Sequence, residues 1–327
     1  FSGQITVDDL GLGAEFINQV WEKHGFRAPS VVTDSEVRAW RPIRAADSHK
    51  GSFGRLAILA GSVGLAGAVV LSTRAAEMGG VGYVDLLVPP EIYPAVLSAV
   101  PSALSQPIPA GKGAALALWR EKLENCSAAL VGPGLGKTAD LTLVLEAAAR
   151  APRLVLDADA LNLLAAPANL ERGREALRAR GKRGMEPAVL TPHPGEFIRL
   201  CPEFARDVFR DRIASADALA RLTGSVTVLK GAGTVIAFPE NAEAAEIWIN
   251  SSGNAGMAKA GSGDVLSGLL ASFLAQKLPL RSAVLSAVFL HGLSADLRAL
   301  ELSERALTPE DTLGGLPQVF LHSGWDK

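Results

Sequence analysis

Short apolar runs alternate with longer stretches of small and apolar residues along most of the chain. Six mostly apolar runs end at Gly, Pro or polar residues, which predicts buried strands at 56–60, 83–88, 128–131, 154–157, 188–190 and 226–229. Helical stretches lie between them at 67–78, 139–149, 207–222 and 265–275, and such lengths can connect parallel strands. The alternation predicts a doubly wound α/β fold with a mainly parallel sheet.

A different pattern near the end of this series predicts one β-hairpin. Apolar residues at 234–238 and 245–249 flank the turn-forming Pro239, Glu240 and Asn241. Composition also changes near residue 45, because residues 1–50 are rich in charge and loop-forming residues. We therefore expect an N-terminal segment at 1–45 and one main domain at 46–327. Because the first residue is Phe1, we expect the chain to be part of a longer protein.

Charge and composition exclude several classes of function. With 32 Lys and Arg against 34 Asp and Glu, the net charge is -2, and no overall positive field exists to bind a nucleic-acid backbone. Cys126 and Cys201 lack the spacing of zinc ligands or of a disulfide framework. Apolar stretches are interrupted before the roughly 18 residues that a membrane span needs, and the start has no signal-peptide pattern. We expect a cytoplasmic protein that binds neither nucleic acid nor membrane.

Two glycine-rich loops follow predicted strands, where ligands bind in open α/β sheets. The loop at 61–68 opens a helix whose first N–H groups are unpaired, which favours an anion or a ring edge but equally a tight turn. The loop at 132–138 is neither a P-loop, because Val131 stands where that motif needs Gly, nor a dinucleotide fingerprint, because Lys137 replaces its third Gly. Gly134 and Gly136 remain candidates, while Lys137 is either near a phosphate or solvated.

Acidic residues and one histidine follow the next two strands. Asp157 and Asp159 could contact metal, water or ribose, although an N-cap explains Asp159 without any chemistry. His193 lies between Pro192 and Pro194, in a rigid loop that favours binding. The other four histidines, His291 among them, lack such a setting, so we expect them to be structural.

The two last loops carry the strongest chemistry. Lys230 to Thr234 combine amides, a hydroxyl and an ammonium, as a nucleotide requires, although a plain hairpin turn is the competing interpretation. The segment 250–264 is dense in Gly and Asn and leads into an apolar helix with Asp264 at its start. We expect the amides of Gly261, Ser262 and Gly263 to form an anion hole, beside which Asp264 acts as a base in phosphoryl transfer.

Together these segments resemble the ADP- or ATP-dependent NAD(P)H-hydrate dehydratase family. The motifs are AGSVGLAGA at 60–68, VGPGLG at 131–136, LDADALN at 156–162, TPHPGEF at 191–197, LKGAGT at 229–234 and NSSGNAGMAKAGSGDVLSG at 250–268. The resemblance implies a three-layer α/β/α ribokinase-like sandwich. Residues 7–11 are similar to the end of the epimerase domain that precedes the dehydratase in two-domain members. Many relatives have Gly where this chain has Ala260.

The family acts on NADHX and NADPHX, the C6-hydrated forms of NADH and NADPH, and restores the dihydronicotinamide. The resemblance implies ADP or ATP as co-substrate, Mg²⁺, a homo-oligomer (often a tetramer) and an upstream epimerase domain. Asp264 would deprotonate the hydrate's hydroxyl, which takes the terminal phosphoryl group, and phosphate then leaves with a push from the ring nitrogen. Residues implied to hold the hydrate are Ala68, Gly134, Gly136, His193 and Asp264. Those implied to line the nucleotide site are Lys230, Gly231, Ala232, Gly233, Thr234, Asn254, Gly256, Gly261 and Gly263.

Two other interpretations fit parts of the pattern. A hydroxyethylthiazole or hydroxymethylpyrimidine kinase of the same fold would use the same anion hole and Asp264, although the TPHPGEF and GPGLG motifs argue against it. A nucleotide-binding regulatory protein without turnover is the other alternative, and the intact Asp264 argues against that.

Overall fold

One large sheet forms the centre of the molecule. The computed structural model describes residues 13, 15–16, 19–20, 28–239 and 245–325. Within them the sheet has ten strands in the order β1-β10-β9-β8-β7-β6-β5-β2-β3-β4. The strands are β1 (Ser30–Val32), β2 (Arg55–Leu59), β3 (Tyr83–Val88), β4 (Leu104–Pro107), β5 (Ala128–Val131), β6 (Leu154–Leu156), β7 (Val189–Leu190), β8 (Val226–Leu229), β9 (Val235–Pro239) and β10 (Ala245–Asn250). Only β9 pairs antiparallel with its neighbours, so the sheet is mainly parallel.

Helices cover both faces of this sheet. They are α1 (Asp34–Ala39), α2 (Ala66–Met78), α3 (Tyr93–Ala99), α4 (Lys112–Asn125), α5 (Leu141–Arg150), α6 (Ala158–Leu164), α7 (Leu170–Lys182), α8 (Pro194–Leu200), α9 (Arg212–Thr223), α10 (Ser262–Ala275), α11 (Leu280–Leu302) and α12 (Pro309–His322). Alternate residues of β2 enter different cores: Leu56 and Ile58 pack with α2 and α10, whereas Ala57 and Leu59 pack with α4 and α5. The predicted three-layer α/β/α arrangement is confirmed.

The predicted strands match the structure closely, because apolar runs bounded by turn residues leave little choice of register. All six have bounds within one residue of those observed, and β9 and β10 form the predicted antiparallel pair. Residues 240–244 of the hairpin turn lie outside the described residues. Helix starts are less accurate: α9 begins at Arg212 because Asp211 caps it, with the Ala214 N–H donating to Asp211 Oδ1 at 2.9 Å.

The sequence pattern does not predict α11, the longest helix. Its most apolar 18-residue window has a mean hydropathy of 1.3, so by length and composition the helix could cross a membrane. The expectation that every apolar stretch is too short is therefore wrong. However, 67% of that window is buried inside the protein. A helix that is apolar on most sides is typical of a protein core, and α11 packs between α10 and α12.

Residues 28–45, which belong to the N-terminal segment, pack onto the sheet. β1 pairs parallel with β10, and Trp40 contacts Trp248 edge-on at 6.2 Å between ring centroids. The Trp325 indole N–H donates to the Val37 carbonyl oxygen at 3.1 Å, which joins α1 to the residues after α12. The domain boundary near residue 45 stays a prediction.

Candidate active site

A cavity of about 890 Å³ opens where β6, β7 and β8 end and α10 begins. That edge of an open α/β sheet is where ligands bind, and the volume suits a nucleotide-sized molecule. Three acidic side chains, two histidines and two lysines line it, namely Asp157, Glu196, Asp264, His193, His291, Lys230 and Lys259.

The first turn of α10 supplies both a dipole and a carboxyl group. Gly261 precedes the helix with φ at 102°, a conformation that favours glycine, and a Cβ there would lie 2.9 Å from Leu71 Cδ1. Asp264 is in the first turn, and its own N–H donates to the Gly261 carbonyl oxygen at 3.1 Å. The Ser262 N–H donates to the Lys259 carbonyl oxygen at 3.3 Å. The expectation that the Ser262 amide faces a ligand is therefore wrong, because the turn uses that N–H.

A buried ion pair lies beside this helix start. Lys230 Nζ donates to Asp157 Oδ1 at 2.8 Å, and their side chains are 20% and 1% exposed. A Cβ built on Gly263 would lie 3.1 Å from Lys230 Nζ, so the ammonium lies against the backbone of α10. Burial lowers the pKa of Lys230, but the charges of Asp157 and Glu196 outweigh it and the pKa is raised. Lys230 is therefore cationic at neutral pH.

Asp264 is poised to exchange a proton near neutral pH. Burial and then the negative charge of Asp157 raise the pKa of Asp264 to about 7, against the opposing charge of Lys230. A carboxyl with this pKa can accept a proton from a hydroxyl and return it at the same pH. The N-terminal dipole of α10 points at the same region and stabilises an anion there.

His193 and Glu196 form a capping box at the start of α8. His193 Nδ1 accepts from the Gly195 N–H at 3.0 Å, and Glu196 Oε2 accepts from the His193 N–H at 2.9 Å. Burial, followed by the charges of Lys230 and Arg199, lowers the pKa of His193. The imidazole is therefore neutral at pH 7. Because Nδ1 is an acceptor, the proton is assigned to Nε2, which makes His193 a hydrogen-bond donor to a ligand in the cavity.

The loop after β8 and the segment before α10 complete the lining. Gly231, Ala232, Gly233 and Thr234 all line the cavity beside Lys230, and Thr234 Oγ1 donates to the Gly231 carbonyl oxygen at 3.0 Å. Asn254, Gly261 and Gly263 line it as well. Gly256 is outside the lining: it is buried, and a Cβ there would lie 2.4 Å from the Glu304 carbonyl oxygen. Gly256 therefore allows two backbone segments to pack closely, outside the cavity lining.

Three residues expected to hold the hydrate lie at the neighbouring strand ends, where the sheet order reverses between β2 and β5. They are Ala68, Gly134 and Gly136. Ala68 and Gly134 meet there, since a Cβ on Gly134 would lie 2.9 Å from Ala68 Cβ. Gly136 lines a second cavity of about 840 Å³. Neither Ala68 nor Gly134 is among the lining residues of the first cavity. Lys137 is exposed to solvent.

Of the two aspartates after β6, Asp157 lines the cavity as expected, whereas Asp159 differs from its expected role. Asp157, and not Asp159, occupies the N-cap position of α6, where its side chain makes no capping hydrogen bond. Asp159 Oδ2 accepts from the Gly136 N–H at 2.8 Å and Oδ1 accepts from Asn162 Nδ2 at 3.1 Å. The N-cap interpretation of Asp159 is therefore wrong, because the helix begins two residues earlier than that assignment requires. Asp159 instead links the glycine loop after β5 to the first residues of α6.

His291 is the functional candidate that the sequence did not indicate. It lines the first cavity and is 5% exposed, and its Nε2 has no hydrogen-bond partner among the described residues. Burial and then the charge of Lys230 lower the pKa of His291 to about 4. It lies in the middle of α11, where no local motif marks it. Ala158, which also lines the cavity, has φ at 49°, an unfavourable value for any residue with a side chain.

Known proteins that are similar in sequence and structure point to one family. Residues 56–316 match the family model described as NAD(P)H-hydrate dehydratase. A Bacillus subtilis structure titled ADP/ATP-dependent NAD(P)H-hydrate dehydratase, co-crystallized with ATP/Mg2+, is similar with a TM-score of 0.75 and 31% identity over 90% of this chain and 99% of that one. An Enterococcus faecalis structure titled a ribokinase-like superfamily protein gives 0.73 and 25%, covering 91% and 97%.

The names of similar proteins agree with the family model. The Neisseria meningitidis protein "ADP-dependent (S)-NAD(P)H-hydrate dehydratase" is 39% identical over 78% of this chain and 80% of its own length. The Moorella thermoacetica "Bifunctional NAD(P)H-hydrate repair enzyme" is 34% identical over 98% of this chain, which spans 58% of that relative. The fold is thus ribokinase-like. The chain belongs to the NAD(P)H-hydrate dehydratase family.

Proposed function

We propose that the chain is an ADP-dependent (S)-NAD(P)H-hydrate dehydratase, a lyase that returns hydrated NADH or NADPH to the reduced cofactor while ADP becomes AMP and phosphate. The observation that carries this proposal is the position of Asp264. Its carboxyl group, with a pKa of about 7, lies at the positive end of α10 in the same cavity as a cationic lysine and a glycine loop. Family membership then selects this reaction from those that such a site can perform.

The proposed division of the cavity follows its chemistry. Lys230 and the loop through Thr234 supply an ammonium, backbone amides and a hydroxyl on one side, which suits the phosphates and ribose of a nucleotide. Asn254, Gly261 and Gly263 would contact the same ligand. His193 would donate through Nε2 to the hydrate, and Ala68, Gly134 and Gly136 would bound the more distant part of that substrate.

Asp264 would begin the reaction as a base. It takes the proton of the C6 hydroxyl as that oxygen attacks the terminal phosphoryl group, and the helix dipole and Lys230 stabilise the charge that develops. The phosphate ester leaves far more readily than hydroxide, and the lone pair of the ring nitrogen drives its departure.

Mg²⁺ fits this site only as an ion carried by the nucleotide. Among the described residues, no group of three or more His, Cys, Asp or Glu side chains is arranged to hold a metal. Mg²⁺ commonly uses one or two carboxylates with phosphate oxygens and water, and it neutralises charge between phosphates. We therefore assign no protein ligand set and derive no step through the ion.

The test follows the absorbance of reduced nicotinamide after the protein is mixed with NADH hydrate or NADPH hydrate, Mg²⁺ and either ADP or ATP. We expect recovery with ADP, loss of recovery in Asp264→Asn, and retained nucleotide binding in that variant by calorimetry. Recovery that is independent of nucleotide, or equal in Asp264→Asn, would contradict the mechanism. Absence of recovery with both nucleotides, followed by phosphorylation of a thiazole or pyrimidine alcohol, would instead identify a kinase.

The proposed partners are an epimerase and further copies of this chain. The name "bifunctional" of the Moorella thermoacetica relative supports an accompanying epimerase activity, to which residues 1–45 would belong as an end segment. We propose a cytoplasmic homotetramer. Light scattering coupled to gel filtration would measure its mass, and a monomer mass at micromolar concentration would contradict that assembly.

A further inference from the structure

The proposed reaction requires a second proton acceptor. Restoring the dihydronicotinamide from its C6 hydrate breaks the C6–O bond and also removes a proton from C5, since a C5=C6 double bond must form. Asp264 receives the hydroxyl proton during phosphoryl transfer, so it holds a proton when phosphate departs. A different group must take the carbon-bound proton, and this step rests on the proposed function.

The other acidic and histidine side chains in the cavity are poorly suited to this task. His193 Nδ1 already accepts from the Gly195 N–H, so its free nitrogen carries a proton. Asp157 is held by Lys230 at 2.8 Å and is 1% exposed. His291 has a pKa of about 4 and is a weak base.

Glu196 meets the requirement. Its side chain is 5% exposed and lines the same cavity as Asp264. Oε2 is used by the capping box, where it accepts from the His193 N–H. Oε1 lies 3.4 Å from His193 Nε2 and accepts no hydrogen bond from the described residues. One carboxylate oxygen therefore anchors the side chain while the other is free for chemistry.

We propose that Glu196 is the base that removes the C5 proton. First, the ester forms and Asp264 is protonated. Next, in one elimination step, the C6–O bond breaks with a push from the nitrogen lone pair and Asp264 returns its proton to the departing phosphate. In the same step Glu196 takes the C5 proton, and the C5–H electron pair forms C5=C6. The products are the reduced cofactor, AMP, hydrogen phosphate and one proton, which Glu196 releases to solvent.

The electrostatics agree with this assignment. Burial raises the pKa of Glu196 to about 7, although Lys230 opposes the shift. A base with a pKa near the working pH combines a substantial ionised fraction with useful proton affinity. The charge of Glu196 also raises the pKa of Asp264, which keeps the proton available for the departing phosphate.

A structural role alone would also require a residue of this shape, so the test must separate the two. Glu196→Gln keeps the capping box, because glutamine serves at the same position of that motif, but it removes the base. Glu36→Gln is a matched control: Glu36 has the same place in the capping box of α1 and does not line the cavity.

The experiment is a rapid-quench single turnover with ADP, Mg²⁺ and hydrate that carries either hydrogen or deuterium at C5. We expect Glu196→Gln to form AMP at nearly the wild-type rate and reduced cofactor at least about 100-fold more slowly. A phosphorylated hydrate should accumulate and appear by mass spectrometry, and deuterium should slow only the second phase. Glu36→Gln should match the wild type in both phases.

Three other results would overturn the assignment. Reduced cofactor formed at the wild-type rate by Glu196→Gln would identify the departing phosphate or another group as the base. Equal slowing of AMP formation and elimination would indicate a structural role in the whole site. If the wild-type protein itself forms no AMP and no reduced cofactor, the proposed function fails, and the role of Glu196 fails with it.

Discussion

Asp264 should destabilise the protein at the pH where it is useful. Its pKa is raised to about 7 because burial and the charge of Asp157 disfavour the ionised form. An unfolded chain binds the proton less tightly than the folded one, so the free energy of unfolding falls as pH rises from about 4 to about 7. Asp264→Asn resembles the protonated carboxyl in shape and carries no charge, so it should remove this loss.

The magnitude follows from the pKa values. A rise from 3.8 to about 7 corresponds to about 4 kcal/mol above pH 7, at ~1.4 kcal/mol per pKa unit. The side chain remains partly exposed to the cavity, and an amide must find its own hydrogen bonds there, which reduces the gain. We therefore expect Asp264→Asn to raise the free energy of unfolding by about 2–4 kcal/mol at pH 8 and by almost nothing at pH 4.

The assay is urea unfolding of both proteins between pH 4 and pH 8, at one protein concentration because assembly also affects stability. Asp47→Asn is the control, since Asp47 is exposed in a loop and its replacement should change little at any pH. A difference between Asp264→Asn and wild type that does not grow with pH would refute the reasoning, as would destabilisation at pH 8.

Other consequences of the site are open to measurement. Ala158→Gly should raise the free energy of unfolding by ~0.5–1 kcal/mol, because glycine relieves the cost of a positive φ at 49° while adding chain entropy; a loss of stability in urea would contradict this. Lys230→Met should cost about 3 kcal/mol, because Asp157 stays buried without its partner, and adding Asp157→Asn should restore most of it; an unstable double variant would argue against the ion-pair explanation. The value of kcat/KM should rise at least about tenfold from pH 6 to pH 8, because Asp264 and Glu196, each with a pKa of about 7, act as bases, and a flat profile would contradict both roles.

Much of the fold and of the site is predictable from sequence because both depend on local signals. Apolar runs that end at glycine, proline or a polar residue define β3, β5 and β8 to the residue. Asp264 and His193 are found at strand ends and helix starts, where short motifs mark them, and the structure brings both to one cavity.

What the sequence misses depends on long-range packing. His291 reaches the cavity only because α11 packs against α10, and nothing near it in sequence differs from an ordinary core helix. The contact of Ala68 with Gly134 depends on β2 and β5 being neighbours, although two other strands separate them in the chain. The N-cap position falls on Asp157 instead of Asp159 because the helix start moves by two residues, a distance within the uncertainty of any pattern.

The short strand β1 keeps β10 from being an exposed edge strand of the sheet. Its three residues cover one side of β10, a six-residue strand of sequence AEIWIN, and Val31 is 50% exposed. The family model matches only from residue 56, so a recombinant protein trimmed to that limit would lack the cover. The N–H and C=O groups of β10 would then be free to pair with a second molecule, as exposed strand edges do. Such a trimmed protein should keep its cavity and yet precipitate, and that failure would come from its surface and not from its chemistry.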